Sequence, residues 1–353
     1  MARSTIAYFR WAFLVTVVGL LLTAWLGWTW TGTLAGTLTF LMIGAVLAVL
    51  EISLSFDNAI VNANKLKYMT PKWQHRFLTW GILIAVFGMR IIFPLAVVVV
   101  AAGISPWAAV KLAATEPHAY AQIMEGAHVS IAAFGGAFLM MVALTYFIDE
   151  GKEVDWIGAL ECQLRRCAPI RGMQFSTVLV LLLIFASLLD EAHRSEFLYA
   201  GLFGLVVFTL VEILGQVLDK REQAKAIGAG GGLGAFLYLE VLDASFSFDG
   251  VIGAFALTHN LFLIAIGLGI GAMYVRSMTI MLVEKKTLAQ FRYLEHGAFY
   301  SIFALSVIMF AQSIYEIPEL ITGLIGAGLI LLALWSSMRW NRRHGHEGVA
   351  GFE

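Results

Sequence analysis

The chain has 353 residues, of which 60% are hydrophobic and 13% charged, and its formal net charge is −1. A soluble domain carries about twice that share of charge, so a soluble globular protein is excluded. The balanced charge gives no electrostatic footprint for nucleic acid, and none is expected as a partner.

Apolar runs of about 20 residues can each cross a bilayer core of about 30 Å as helices. Ten such runs predict an all-α polytopic membrane protein: 10–28, 33–62, 77–103, 127–148, 174–190, 197–218, 231–258, 261–283, 296–315 and 319–338. The first follows Arg3 and Arg10 and resembles a signal peptide. Trp25, Trp28 and Trp30 stand where a small-residue cleavage site would lie, so an uncleaved span is expected.

The second run holds the octet Ser53-Leu54-Ser55-Phe56-Asp57-Asn58-Ala59-Ile60, with Glu51 two residues before it. On a helix Glu51, Ser55, Asn58 and Asn62 share a face, whereas Asp57 lies about 120° away. Either the site lies between helices or the helix unwinds near these residues. The third run carries Gly81 and, nine residues on, Arg90. Ser105 to Gln122 is apolar enough to pack on the membrane. The loop Asp149 to Gly172 mixes acids and bases and is expected on the inner surface; it holds both cysteines, Cys162 and Cys167, which imply no disulfide framework. Glu212, in the sixth run, has no acidic counterpart in the first.

The seventh run repeats the octet as Ser245-Phe246-Ser247-Phe248-Asp249-Gly250-Val251-Ile252, with Asp243 two residues before it. Glu240, Asp243 and Ser247 share a helical face. Gly250 at the position matching Asn58 favours an unwound segment, whose carbonyls could coordinate a cation. The eighth run repeats the glycine–arginine pattern as Gly267 and Arg276. His128 and His296 lie at the starts of the fourth and ninth runs beside Glu125 and Glu295, as interfacial residues. The tail His344-Gly345-His346-Glu347 is read as solvated.

Asp57 and Asp249 are 192 residues apart, so the chain is a duplication. The join, Asp219 to Gly230, separates residues 1–218, holding repeat core 33–148 and the span preceding the second core, from residues 219–353, holding repeat core 231–338 and a cytoplasmic tail. Five spans per half make the copies inverted in the membrane, a plan common in secondary transporters. With the N-terminus inside, inner segments hold 19 of the 23 lysines and arginines and outer loops hold two, with Arg90 and Arg276 inside spans. This asymmetry places both termini in the cytoplasm.

A carboxylate inserted in hydrocarbon costs roughly 2.5–3.5 kcal/mol. Such groups persist when they pair, bind a cation or carry protons. Arg90 and Arg276 can neutralise two of the motif acids Glu51, Asp57, Asp243 and Asp249, leaving two charges for a divalent cation or two protons to close. The set is rich in oxygen and holds no cysteine, which suits Mn²⁺, Mg²⁺ or Ca²⁺. A purely structural acid–arginine network is the alternative.

These residues resemble the TerC family of integral membrane proteins, grouped with the LysE transporter superfamily. The resemblance rests on Glu51-x-x-x-Ser55-x-Asp57-Asn58, on Asp243-x-x-x-Ser247-x-Asp249, on the spans ending at Arg90 and Arg276, and on Ile317-Pro318 before the last span. It covers most of residues 33–148 and 231–338. It implies manganese efflux, with a historical link to tellurium-ion resistance. By position it makes Glu51, Asp57, Asp243 and Asp249 the metal-site acids with Asn58 beside them. Ser55, Ser247 and Glu240 would support the shell, and Arg90 and Arg276 would hold the acids. The chain differs from the common family form in its extra spans, its longer loop after the first octet, and Gly250. The resulting expectation is a transporter of the bacterial inner membrane rather than an enzyme, without a resident cofactor. Its cargo is a divalent cation, protons are the candidate counter-ion, and its oligomeric state is open, a homo-oligomer included. A membrane scaffold that recruits partners through its inner loops is the competing expectation.

Overall fold

The computed structural model describes residues 5–81, 84–149, 152, 154–166, 168–170, 172–225, 232–285, 290–315 and 317–344. Several side chains within its helices, Ser247 and Asp249 among them, are outside the described set, as are most of the glycine-rich join and the histidine-bearing tail. The described residues form helices and no strand.

A short helix α1 (Thr5–Tyr8) leads into α2 (Arg10–Thr31). Gly32 closes α2 in the left-handed region at φ 61°, and the Thr33 hydroxyl then accepts from the Gly36 N–H at 3.1 Å. This glycine-then-threonine pair turns the chain directly into α3 (Leu34–Leu54). After Ser55 comes α4 (Phe56–Leu66), then α5 (Pro71–Arg76). Residues Phe77–Gly81 and Ile84–Ile92 are wound as π-helix, and α6 (Phe93–Ala102) continues them. Pro94 cannot donate to the Arg90 carbonyl four residues back, which favours looser winding before it. Helices α7 (Pro106–Thr115) and α8 (Pro117–Gly126) fold over α6, the chain turning by 106° between Arg90–Ala102 and α7. Then come α9 (His128–Phe147), α10 (Gly158–Arg166), α11 (Met173–Leu188) and α12 (Glu191–Lys225). Helices α13 (Leu233–Leu257), α14 (Leu261–Glu284), α15 (Leu294–Gln312) and α16 (Glu319–His344) complete the bundle.

Seven described helices are long and apolar enough to cross a membrane, or eight if the bent pair around residue 103 is one span. The ten predicted runs all appear as helices, two of them in forms that length and composition alone do not certify. Helix α11 has 16 residues, about 24 Å of rise. Helix α13 is long enough but carries Glu240, Asp243 and Asp249.

Burial sorts the spans. Helices α9, α14 and α15 have 67–72% of their apolar windows buried, against 22–28% for α2, α3, α12 and α16. The first three are the centre, and the others present leucine, valine and tryptophan outward, as a lipid-facing layer does. Packing between the repeat cores is reciprocal. Helix α3 packs on α14, the π-helical stretch Ile84–Ile92 packs on α13, and α9 packs on α15. In repeat terms the second span meets the eighth, the third meets the seventh, and the fourth meets the ninth. A two-fold relation between halves requires that pattern.

Two glycines allow the close approaches. A Cβ at Gly271 would lie 2.5 Å from Glu51 Cβ, and one at Gly81 would lie 2.7 Å from Glu240 Oε1. Each acid-bearing helix is therefore met by a bare backbone from the other half.

Candidate functional site

The first octet is broken at one residue. Ser55 has φ −100° and ψ 16°, and the helical ladder continues on both sides of it: the Ser55 N–H donates to the Glu51 carbonyl and the Ala59 N–H to the Ser55 carbonyl. The second octet differs from expectation. Helix α13 runs unbroken through Gly250, so no unwound carbonyls are offered there. The break falls in the first copy, and it is a kink rather than an extended unwinding.

Around this kink lies a buried cluster drawn from both halves. The Ser55 hydroxyl donates to Glu51 Oε1 at 2.9 Å, and Arg90 forms an ion pair with the same oxygen. Asn62 Nδ2 donates to Asp243 Oδ1 at 2.8 Å, and Asn58 borders the same cavity as Asp243. Glu51, Ser55, Asn58, Asn62, Arg90, Asp243 and Arg276 border one cavity of about 50 Å³, walled by Phe77, Phe246 and Val275. That is several times the room one water needs, about 10–15 Å³ by the same measure.

The cluster sets unsatisfied acceptors beside the guanidinium groups of Arg90 and Arg276. Asn58 Oδ1 and Asn62 Oδ1 are buried without a hydrogen-bond partner, as are both carboxylate oxygens of Glu240 one helical turn from Asp243. Buried polar atoms normally find partners, so the orphaned oxygens of Asn58 and Asn62 leave the lining of this cavity incomplete, while Glu240 lies behind it. Such a lining fits a hard cation: carboxylate and amide oxygens suit Mn²⁺, Mg²⁺ and Ca²⁺.

The predicted residues do not all converge. Asp57 borders a second, smaller cavity with Ser301, Thr322 and Gly250. The Ser301 hydroxyl donates to Asp57 Oδ2 at 2.8 Å, and the Asn58 N–H donates to Oδ1 at 2.8 Å. Arg276 borders the first cavity but forms no ion pair with an acid among the described residues; its Nε and Nη2 donate to the Leu78 carbonyl at 2.9 and 2.6 Å. The side chains of Ser247 and Asp249 are outside the described residues. Among the described residues no three His, Cys, Asp or Glu side chains form one metal-holding group, and only Glu51 and Asp243 of the acids border the first cavity.

Residues that sequence reasoning missed cluster at the loop between α9 and α11. Glu161 is 1% exposed. It pairs with Lys152 and accepts from the Trp156 and Ile157 N–H groups at 3.1 and 3.0 Å and from the Tyr300 hydroxyl at 3.0 Å. Burial alone would raise its carboxyl, but the Lys152 bond, the Ile157 N–H and nearby His296 outweigh it and hold the group below the usual range. His296 is 4% exposed, and its Nε2 bonds the Val154 carbonyl at 2.7 Å, so it anchors this loop. The loop is docked on the ends of α9 and α15 rather than lying free on the surface. Mixed loop charge is the usual mark of a solvated segment, so nothing local distinguished it.

Residues 56–344 match the family model described as "Protein of unknown function (DUF475)". No curated protein and no solved structure matches. The match covers well over half of an all-α polytopic membrane protein and takes in most of the polar cluster, and the chain belongs to this family of proteins of unknown function, DUF475.

Proposed function

We propose that this protein is a secondary transporter that exports a divalent metal cation, Mn²⁺ first among the candidates, across the bacterial inner membrane. One observation carries the proposal. Orphaned amide oxygens of Asn58 and Asn62 sit beside the carboxylates Glu51 and Asp243 in a buried cavity built by both halves. Similarity of the paired motifs to the TerC family favours Mn²⁺ over Mg²⁺ and Ca²⁺. The distribution of lysine and arginine favours cytoplasmic termini.

The residues suggest how a cation is accepted and released. The Arg90 guanidinium balances Glu51. A divalent ion entering between Glu51 and Asp243 brings the charge that Arg90 supplies, so the arginine can withdraw. Asn58 and Asn62 turn amide oxygens toward the ion, and the Asn62 Nδ2 group keeps Asp243 oriented. Protons taken up by the vacated carboxylates would balance export without nucleotide hydrolysis. No covalent step is involved.

The buried Arg90–Glu51 pair also favours a second reading, a membrane scaffold in which the acids serve folding alone. Mn²⁺, Ca²⁺ and Mg²⁺ flux in proteoliposomes separates them. Glu51→Gln and Asp243→Asn should each lower Mn²⁺ flux by about tenfold or more with the protein still inserted. Flux equal to the native chain in both variants would remove the cavity from the transport path. A scaffold should tolerate the exchanged pair Glu51→Arg with Arg90→Glu; a cation site should not.

A further inference from the structure

The second cavity is a site in its own right. It lies between α4, α13, α15 and α16, holds about 20 Å³, and is bordered by Asp57, Ser301, Thr322, Gly250 and Gly326. That volume admits one water-sized guest and no hydration shell. Three of its polar side chains come from separated stretches of chain and are buried, with Asp57 4% exposed, Ser301 2% and Thr322 5%, while Ser53 at its rim is exposed.

Charge and hydrogen bonding are both incomplete there. Asp57 accepts two hydrogen bonds, from the Ser301 hydroxyl and the Asn58 N–H, and sits in the first turn of α4, where the helix contributes a partial positive charge of about one half. Among the described residues no lysine, arginine or histidine forms an ion pair with it. Across the cavity the Thr322 hydroxyl oxygen is buried without any partner. A carboxyl group with no cationic side chain paired to it among the described residues and an orphaned hydroxyl face a space the size of one dehydrated ion.

We infer that this cavity is a binding site for one monovalent metal cation of Na⁺ size, held by Asp57, Ser301 and Thr322 and separate from the divalent-cation cavity. Asp57 is the one acid that borders the cavity among the described residues, and a single carboxylate at a helix N-terminus suits a monovalent ion better than a divalent one. Three oxygen-bearing side chains around a small space offer the hard ligands that an alkali cation takes. Gly326 sets the fit from one side, since a Cβ there would lie 2.7 Å from the Ser301 hydroxyl oxygen. The two cavities share a wall: Phe246 borders both. Gly250, one turn on, borders the smaller cavity, and a Cβ at Gly250 would lie 3.3 Å from Glu51 Oε2. Occupancy of one site is thereby placed in mechanical contact with the other, which makes this cation the candidate coupling ion.

The coupling role rests on the transporter reading, so the test measures binding without transport. Full-length protein in detergent is melted in NaCl, KCl and choline chloride at one ionic strength and one pH, for the native chain, Thr322→Val and Thr322→Ser. Na⁺ should raise the native melting temperature above both other salts in a saturable way. Thr322→Val, which keeps the shape and removes the oxygen, should weaken the apparent Na⁺ affinity about tenfold, and Thr322→Ser should restore it. Identical melting in the three salts, or an Na⁺ response unchanged by Thr322→Val, overturns the site and leaves a bridging water as its occupant. A response to pH with none to Na⁺ also overturns it, in favour of a proton. Absence of Mn²⁺ flux with Na⁺ binding intact would fault the cargo reading alone.

Discussion

Asp57 and Asn58 are neighbours in sequence yet serve different cavities. Successive helical residues are about 100° apart, so adjacent side chains cannot share a target. The kink at Ser55 does not undo this rotation; Asp57 turns toward Ser301, while Asn58 borders the cavity that Asp243 also borders. The helical face Glu51–Ser55–Asn58–Asn62 was legible from spacing, and all four residues border one cavity. Ser301 and Thr322 were not legible, because each is an ordinary polar residue in an apolar run, and Ser301 reaches Asp57 across 244 positions.

The Glu161 cluster yields a prediction at the same scale. Lys152 and Glu161 are paired with side chains 7% and 0% exposed. Removing one partner of a buried pair leaves the other uncompensated and costs about 3–5 kcal/mol. Glu161→Gln should therefore release the loop between α9 and α11, seen as faster proteolysis at residues 149–172, while Arg166→Gln on the same helix should not. The pH dependence follows from the lowered carboxyl. A depressed folded-state value stabilises the docked loop above the ordinary carboxylate range and loses that contribution as pH falls through the folded value. Protease sensitivity of the native loop should stay flat from neutral pH down to that range and rise below it.

At the scale of elements, the apolar runs and their charged flanks marked where helices lie, and they are helices. Winding was a different matter. The π-helical stretches on either side of residue 82, the break at Ser55 and the continuity of α13 depend on which backbone carbonyls find partners in the packed bundle, and composition does not encode that. Glycine at position 250 suggested a break, yet its use is space: bare backbone beside Glu51. The same logic separates other glycines. A Cβ at Gly271 would meet Glu51 Cβ and Cγ at 2.5 Å and the Ala48 carbonyl oxygen at 2.9 Å, whereas one at Gly328 would meet nothing within 4 Å. Gly271→Ala should force α14 away from α3 and cost about 1–3 kcal/mol, as overpacking does. Gly328→Ala should stay within about 0.5 kcal/mol. Melting temperatures of the two variants in one detergent decide it, and equal values would mean that α14 does not pack tightly against Glu51.

For the whole molecule, the reciprocal packing of the repeat cores carries a statement about sidedness. If α3 meets α14 as Ile84–Ile92 meets α13, and the halves are inverted, the loops after the two arginine-bearing spans must open on opposite faces of the membrane. The first of these loops contains Lys111 and the second Gln290, both exposed. Under the proposed topology Lys111 lies on the outer face and Gln290 in the cytoplasm. With Cys162 and Cys167 replaced by serine, Lys111→Cys should react with a membrane-impermeant maleimide in intact cells, and Gln290→Cys only after permeabilisation. Labelling of both positions from the same side would make the two octets parallel copies. The polar cluster would then have lost its reason for combining Glu51 of one half with Asp243 of the other, because alternating access by rocking needs two halves that exchange roles about the plane of the bilayer.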